Sequence, residues 1–230
     1  MRDGISVVIP CLNESETIRA AIQNASTGAK KLGFPYEVIV VDNGSRDHSA
    51  EIALIAGARI VNETQKGYGS ALNAGIRAAN FSWVIFADAD LSYPFEDLDR
   101  LVKPLEANQA DFVLGSRIGG TIDRGAMPFL NRYLGTPVLS WLIFALHGLR
   151  TSDCNSGMRA LRADQYESLK LKSSGMEYAS EMLIQVARLR LRYQEVSIHY
   201  RKDGRSGPTH LRRFQDGFRH LRRILFYSFI

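Results

Sequence analysis

The sequence predicts an α/β fold on a mostly parallel sheet flanked by helices. Short runs of continuous apolar, often β-branched residues recur along the first half: Ile5–Ile9, Tyr36–Val41, Ala58–Val61, Trp83–Ala87 and Asp111–Leu114. Between them lie stretches with apolar residues three and four apart. Uninterrupted apolar strands alternating with helical segments mark a sheet covered on both faces.

The elements come in order along the chain. Strand 5–9 ends at Pro10, and the stretch 14–32 places Ile18, Ala21, Ile22 and Ala25 on one helical face. Strand 36–41 runs into Asp42-Asn43-Gly44-Ser45, and a helix succeeds it over about 47–56. Strand 58–61, a helix over 69–79, strand 83–87, an amphipathic helix over 95–107 and strand 111–114 complete the regular half. Residues 127–147 read as one or two apolar helices interrupted near Gly135-Thr136-Pro137. Ser156–Leu161 reads as a strand and 177–191 as a helix, and Glu195–Tyr200 alternates with period two, a strand with one wet face. Residues 211–229 set Leu211, Phe214, Phe218, Leu221, Leu225 and Phe229 opposite Arg212, Arg213, Arg219, Arg222 and Arg223, a basic amphipathic helix.

Composition narrows the function classes. At 230 residues, 45% hydrophobic and 23% charged, the chain is an ordinary globular protein, neither disordered nor fibrous. Its two cysteines, Cys11 and Cys154, lie far apart with no CxxC or CxxH cluster, which argues against a disulfide scaffold or zinc site and for a reducing compartment. The start reads directly into a strand, without a secretory pattern, and the longest uncharged apolar stretch, Tyr133–Leu146, is 14 residues, too short to span a bilayer. Net charge is +5, yet Arg188–Arg223 holds 11 Lys/Arg against 3 Asp/Glu, so the basic excess sits near the C-terminus. Such a segment suits phosphates or an anionic membrane, or is simply a solvated helix face.

Ligands of open parallel sheets bind at the carboxyl ends of the strands. Those ends carry Pro10-Cys-Leu-Asn13-Glu14, Asp42-Asn-Gly-Ser45 and Asp88-Ala-Asp90. No G-x-G-x-x-G succeeds the first strand and no Walker A motif occurs, which demotes hydride transfer and P-loop chemistry. A D-x-D arises by chance about once in a chain this long, and Asp97-Leu-Asp99 is a second copy inside a helix, where the two side chains diverge. Asp88 and Asp90 instead leave a buried strand at the ligand edge, where both carboxylates can reach one hard cation, Mg²⁺ or Mn²⁺; the competing reading is a turn or cap. Asp42 either binds a base or ribose or forms the turn before Gly44, and Lys66-Gly67 opens a helix whose N-terminus suits a diphosphate. Arg117 lies just past the fifth strand and could neutralise phosphate; Asp153–Gly157 is a polar turn ahead of a strand.

The order of these pieces is recognisable. Ser6–Pro10 with Asn13-Glu14, Val40–Ser45 with Asp47, Lys66-Gly67 and Ala87–Asp90 together resemble the family 2 inverting glycosyltransferases of GT-A fold, a Rossmann-like sheet. Gly115–Arg117, Asn131-Arg132, Asp153-x-x-Ser156-Gly-Met-Arg159 and Glu195–Ile198 extend the likeness to the polyprenyl-phosphate branch typified by dolichyl-phosphate mannose synthase. The likeness covers about residues 4–207 and implies a catalytic domain over 1–207, with 208–230 as a basic, membrane-proximal helix. It implies transfer of a hexose from UDP-glucose or GDP-mannose to a polyprenyl phosphate with Mg²⁺ or Mn²⁺, in the cytoplasm at the cytoplasmic face of a membrane; oligomer formation stays open. On this likeness Pro10, Asn13, Glu14, Asp42, Lys66, Gly67, Asp88 and Arg117 bind the nucleotide sugar, and Asp88 and Asp90 hold the metal. Arg132, Ser156, Arg159 and Arg201 face the acceptor or its phosphates, with Asp90, Arg117 and Asp153 as catalytic residues. Two departures stand out: Ser92 where relatives often carry Gln or Asp, which counts against a third protein ligand, and Met158 in place of the usual Phe.

A hydroxyl acceptor would need a general base, for which Asp153 is the candidate, whereas a phosphate acceptor is already ionised and needs only docking cations, offered by Arg159, Arg201, Lys202 and Arg205. Rival readings are a sugar nucleotidyltransferase, whose glycine-rich N-terminal signature is missing, an inactive glycosyltransferase-like partner domain, and a nucleic-acid-binding module, disfavoured because the arginines lie on an amphipathic helix with no known nucleic-acid motif.

Overall fold

Strand β1 (Arg2–Cys11) shows why the sheet is covered on both sides: Ile5, Val7 and Ile9 point into one apolar cluster and Val8 into the other, all fully buried. The computed structural model describes residues 2–207 and 213–229. Strands β2 (Tyr36–Asp42), β3 (Arg59–Asn62), β4 (Phe81–Phe86), β5 (Phe112–Ile122), β6 (Arg159–Arg162) and β7 (Tyr193–Tyr200) complete one seven-stranded sheet in the order β3-β2-β1-β4-β6-β5-β7. All pairings are parallel except those of β6, which runs against both β4 and β5.

Helices α1 (Ile18–Lys31) and α4 (Leu98–Glu106) cover the face that holds Ile5, Val7 and Ile9. Helices α3 (Tyr68–Arg77) and α7 (Tyr178–Arg188) cover the other, and the short α2 (Ser49–Ile55) flanks the β3 edge. The spacing on α1 is the burial pattern found: Ile18, Ala21, Ile22 and Ala25 are inside. Two features differ from the sequence expectation. Strand β5 runs on to Ile122, because beyond Leu114 it continues beside β7 after a shift in register. The expected break at Gly135-Thr136-Pro137 is no break: a wide turn over Asn131–Gly135 leads into α5 (Thr136–His147), with Pro137 in the first turn, where its missing N–H costs nothing. A short helix that the periodicity does not predict, α6 (Ala163–Tyr166), comes directly after β6.

Helix α8 (Arg213–Ser228) packs on α5 and α7. His220 Nδ1 pairs with Ser180 Oγ at 2.7 Å, Tyr227 Oη donates to Glu181 at 2.6 Å, and His147 Nε2 meets the Ile224 carbonyl at 3.0 Å. Of the row expected to be its apolar face, the side chains of Leu211 and Phe214 lie outside the described residues, while Phe218, Leu225 and Phe229 are exposed. The inward face is instead Asp216, His220, Ile224 and Tyr227. Among the described residues no helix is long and apolar enough to cross a membrane.

Candidate active site

The carboxyl ends of β1 and β2 are in register, Cys11 beside Asp42, and the two turns beyond them are joined by a net of hydrogen bonds from backbone N–H groups to side chains, Asn13 N–H to Ser45 Oγ and Arg46 N–H to Asn13 Oδ1. Asp42 accepts from the Gly44 and Ser45 N–H groups at 3.3 and 3.0 Å, the turn-forming arrangement, with its carboxylate at the sheet edge. Asn13 stands in the left-handed region (φ 56°) and its Oδ1 accepts the Arg46 N–H at 2.8 Å, which locks the two turns together. Half-buried Pro10 ends the strand interior beside Val41. Lys66 reaches back over the Asp42 turn, its Nζ donating to the Asn43 carbonyl at 2.6 Å. Gly67 (φ +132°) is needed where it stands, because a Cβ would lie 2.1 Å from the Ser174 carbonyl oxygen. Asn43 is a site residue that the sequence motifs did not single out. It is buried, donates to the Glu63 and Gln65 carbonyls at 2.8 and 2.9 Å, accepts from the Gly67 N–H at 2.8 Å, and so fastens the Lys66-Gly67 loop. Its place directly after the Asp42 strand end is the signal that could have found it.

Asp88 and Asp90 leave β4 beside this net. Asp88 Oδ1 is buried with no hydrogen-bond partner, and Tyr68 bonds the same carboxyl group. Burial, and then the charge of Asp90, push the Asp88 carboxyl up to about 7. Asp90 is held differently: its Oδ1 accepts the Ser92 N–H and Oγ–H at 3.0 and 2.6 Å. Leu91 between them takes a left-handed φ of 68°, a strained conformation for a branched side chain at the tip of the strand. Gly157 closes on the pair from the loop before β6: its N–H donates to Tyr93 Oη at 2.6 Å, and a Cβ there would come within 2.9 Å of Asp88 Oδ2. Two hard carboxylates, one with a buried oxygen that nothing satisfies, fit a hard divalent cation. No group of three His, Cys, Asp or Glu capable of holding a metal occurs among the described residues, so Asp88 and Asp90 would hold such an ion, with its remaining sites open to water or ligand oxygens.

Arg117 and Asp153 form a buried pair close to Tyr93 and Asp88. Asp153 is fully buried, and both its oxygens are taken by Arg117: Nε to Oδ2 at 2.8 Å and Nη2 to Oδ1 at 2.7 Å. The guanidinium lies over the Tyr200 ring at 5.0 Å. A carboxylate so engaged anchors Arg117, whereas the sequence expectation gave it the role of general base for a hydroxyl acceptor.

Two other expected acceptor contacts are not at the open edge. Arg159 is almost fully buried and spends its guanidinium on the carbonyls of Ser156, Ala179 and Cys154, at 2.9, 2.7 and 2.9 Å. Ser156 is buried too, its Oγ donating to the Gly115 carbonyl at 2.5 Å. These residues shape the loop that carries Gly157. Arg132 sits on the segment before α5, over the Tyr133 ring at 5.3 Å, and Arg201 pairs with Glu96. Glu14 is buried and grips Arg205, a residue expected to help dock an acceptor.

Known proteins share this arrangement of elements. The model of the family described as glycosyl transferase family 2 matches residues 6–169. The low-salt glycan biosynthesis hexosyltransferase Agl6 of Haloferax volcanii is 35% identical over 96% of this chain, which spans only 53% of that relative's length. The dolichyl-phosphate hexose transferase of Haloferax volcanii is 32% identical over 94% of this chain and 90% of its own. Among solved structures, glucosyl-3-phosphoglycerate synthase from Mycobacterium tuberculosis, in complex with Mn²⁺, UDP and glucosyl-3-phosphoglycerate, superposes with a TM-score of 0.78 over 99% of this chain and 81% of that one, at 23% identity. The likeness confirms the fold: mostly parallel, helix-flanked and GT-A-like.

Proposed function

The chain belongs to glycosyl transferase family 2, and from that premise we propose that it moves a hexose, with inversion, from a nucleotide-diphosphate sugar to a polyprenyl phosphate, using Mg²⁺ or Mn²⁺ at Asp88 and Asp90. The observation that carries the reading is the pair of carboxylates at the end of β4, one of them with a buried, unsatisfied oxygen. A divalent ion there would neutralise the leaving diphosphate as a Lewis acid. The Asp42 turn, Asn13 and Pro10 form the edge for the base and ribose, and Lys66 with Gly67 faces the diphosphate.

The acceptor class is supported by the engagement of Asp153. A phosphate is ionised at neutral pH and attacks without a base, so the site needs cations and not a proton acceptor. Arg117, oriented by Asp153, supplies one, with Arg132 and Arg201 in the same role. The similar Haloferax volcanii protein, a dolichyl-phosphate hexose transferase, points the same way.

A lipid acceptor implies a membrane surface. Phe129, Leu130, Tyr133, Leu134 and Trp141 are exposed on α5 and the segment leading into it, and Phe218, Phe226 and Phe229 on or beside α8, which packs against α5. Arg132, Arg150 and Arg222 accompany them. Aromatic and aliphatic side chains beside arginines suit an anionic headgroup layer.

The deciding experiment offers UDP-glucose and GDP-mannose with a short polyprenyl phosphate or the corresponding alcohol, with and without Mn²⁺. The expected result is metal-dependent transfer to the phosphate alone, reduced at least about 100-fold by Asp90→Ala. Equal transfer to the alcohol, or full activity of that variant, would overturn the assignment.

A further inference from the structure

Residues 201–207, which leave β7 without regular structure, lie as a strap across the site. On one side the Arg201 N–H donates to the Ser92 carbonyl at 2.9 Å and the Gly204 N–H to the Asp90 carbonyl at 2.8 Å. On the other the Ser206 N–H donates to Glu16 Oε2 at 2.8 Å. The strap thus joins the turn after β4 to the loop after β1. At its centre Arg205 presents a two-pronged contact to Glu14, Nε to Oε2 at 2.8 Å and Nη2 to Oε1 at 2.6 Å. Its third nitrogen, Nη1, stands 3.4 Å from Asp90 Oδ2. All three side chains are largely buried.

Asp90 Oδ1 is already committed to Ser92, so Oδ2 is the oxygen turned toward a cation, and the cation it faces is Arg205. A divalent ion bound by Asp88 and Asp90 would bring its charge against a guanidinium on the same carboxylate. One positive group must yield.

We propose that Arg205 is a resident cation that holds the Asp88–Asp90 site shut in the free protein, and that metal binding displaces it and lifts the strap from Asp90. The inference rests on the metal assignment made above. It assigns Arg205 to gating, whereas its charge alone had suggested acceptor docking. Glu14 then serves as the anchor that keeps the arginine in place until it is displaced. If the shut state holds about nine tenths of the free protein, the apparent metal affinity is about tenfold weaker than that of the open state.

Mn²⁺ titration monitored by the electron paramagnetic resonance signal of the free ion, without donor, tests this on the full chain. Arg205→Ala is expected to bind Mn²⁺ about tenfold more tightly than wild type, and Arg205→Lys by a smaller factor. In wild type, saturating Mn²⁺ is expected to speed amide hydrogen exchange in the peptide spanning 201–207. This second measurement decides the matter if the alanine variant does not fold. Mn²⁺ binding that is lost in Asp90→Ala but unchanged or weaker in Arg205→Ala, or slower strap exchange with Mn²⁺, overturns the gate alone. Absence of Mn²⁺ binding in wild type and Arg205→Ala alike overturns the gate together with the metal assignment.

Discussion

Asp153 accepts three hydrogen bonds from a single residue: from Arg117 Nε at 2.8 Å, from Nη2 at 2.7 Å and from the Arg117 backbone N–H at 2.9 Å. The carboxylate is therefore a clamp on an arginine. Buried and bidentate, the pair fixes the guanidinium plane against Tyr200.

Asp153→Asn leaves that buried guanidinium without its counter-charge, at a cost of about 3–5 kcal/mol. Denaturant unfolding is expected to show the loss. In steady-state kinetics at a temperature where the variant is folded, the acceptor KM should rise more than kcat falls. A fall confined to kcat, with a changed pH profile, would reinstate the residue as a base.

Gly157→Ala puts a methyl group 2.9 Å from Asp88 Oδ2 and 3.1 Å from Tyr93 Oη. The carboxylate must turn aside while the fold survives. Calorimetric titration is expected to show Mn²⁺ affinity reduced about tenfold, with the thermal midpoint close to that of wild type.

Arg159→Met keeps the bulk of the side chain but removes the donor from the Ser156 and Cys154 carbonyls, as well as the bond to the Ala179 carbonyl of α7. The expected loss is about 1–3 kcal/mol for each buried carbonyl left without a donor. The variant should unfold at lower urea concentration, yet its acceptor KM, measured where it is folded, should stay near the wild-type value. A selective rise in that KM would return Arg159 to the acceptor site.

Burial, with Arg159 nearby, lowers the His220 imidazole to about 4. The unfolded chain binds a proton near the ordinary histidine value, so between there and about 4 it holds more protons than the folded one, and stability falls as pH falls through that window. The full effect is about 3 kcal/mol. Thermal melts from pH 7 to pH 4 should show the decline, and His220→Gln should flatten it. A parallel decline in that variant would place the acid sensitivity elsewhere.

The sheet and the turns at its carboxyl edge were legible because continuous apolar strands ending in Asn13-Glu14, Asp42 and Asp88-Ala-Asp90 encode them locally. The interior of the loop ahead of β6 was not. Arg159 and Ser156 carry the same polar chemistry whether they meet a phosphate or a backbone carbonyl, and only the burial of their loop decides it. The reversed direction of β6 was equally hidden, since four residues, Arg-Ala-Leu-Arg, read alike in either orientation. Arg205 was visible as a positive charge, but its partner Glu14 lies near the other end of the chain.

The reversal of β6 has a consequence for how such a site diversifies. Because Arg159 opens the strand beside Phe86, the last residue of β4, the chain leaves β5 and re-enters the sheet at the same rim. Everything from Asp123 to Met158, α5 included, is an excursion that departs from and returns to that rim. It can lengthen or exchange its side chains without shifting the register of β1, β2 and β3. Change can thus accumulate in one stretch of polypeptide while the turns at the carboxyl ends of β1 and β2 are inherited intact.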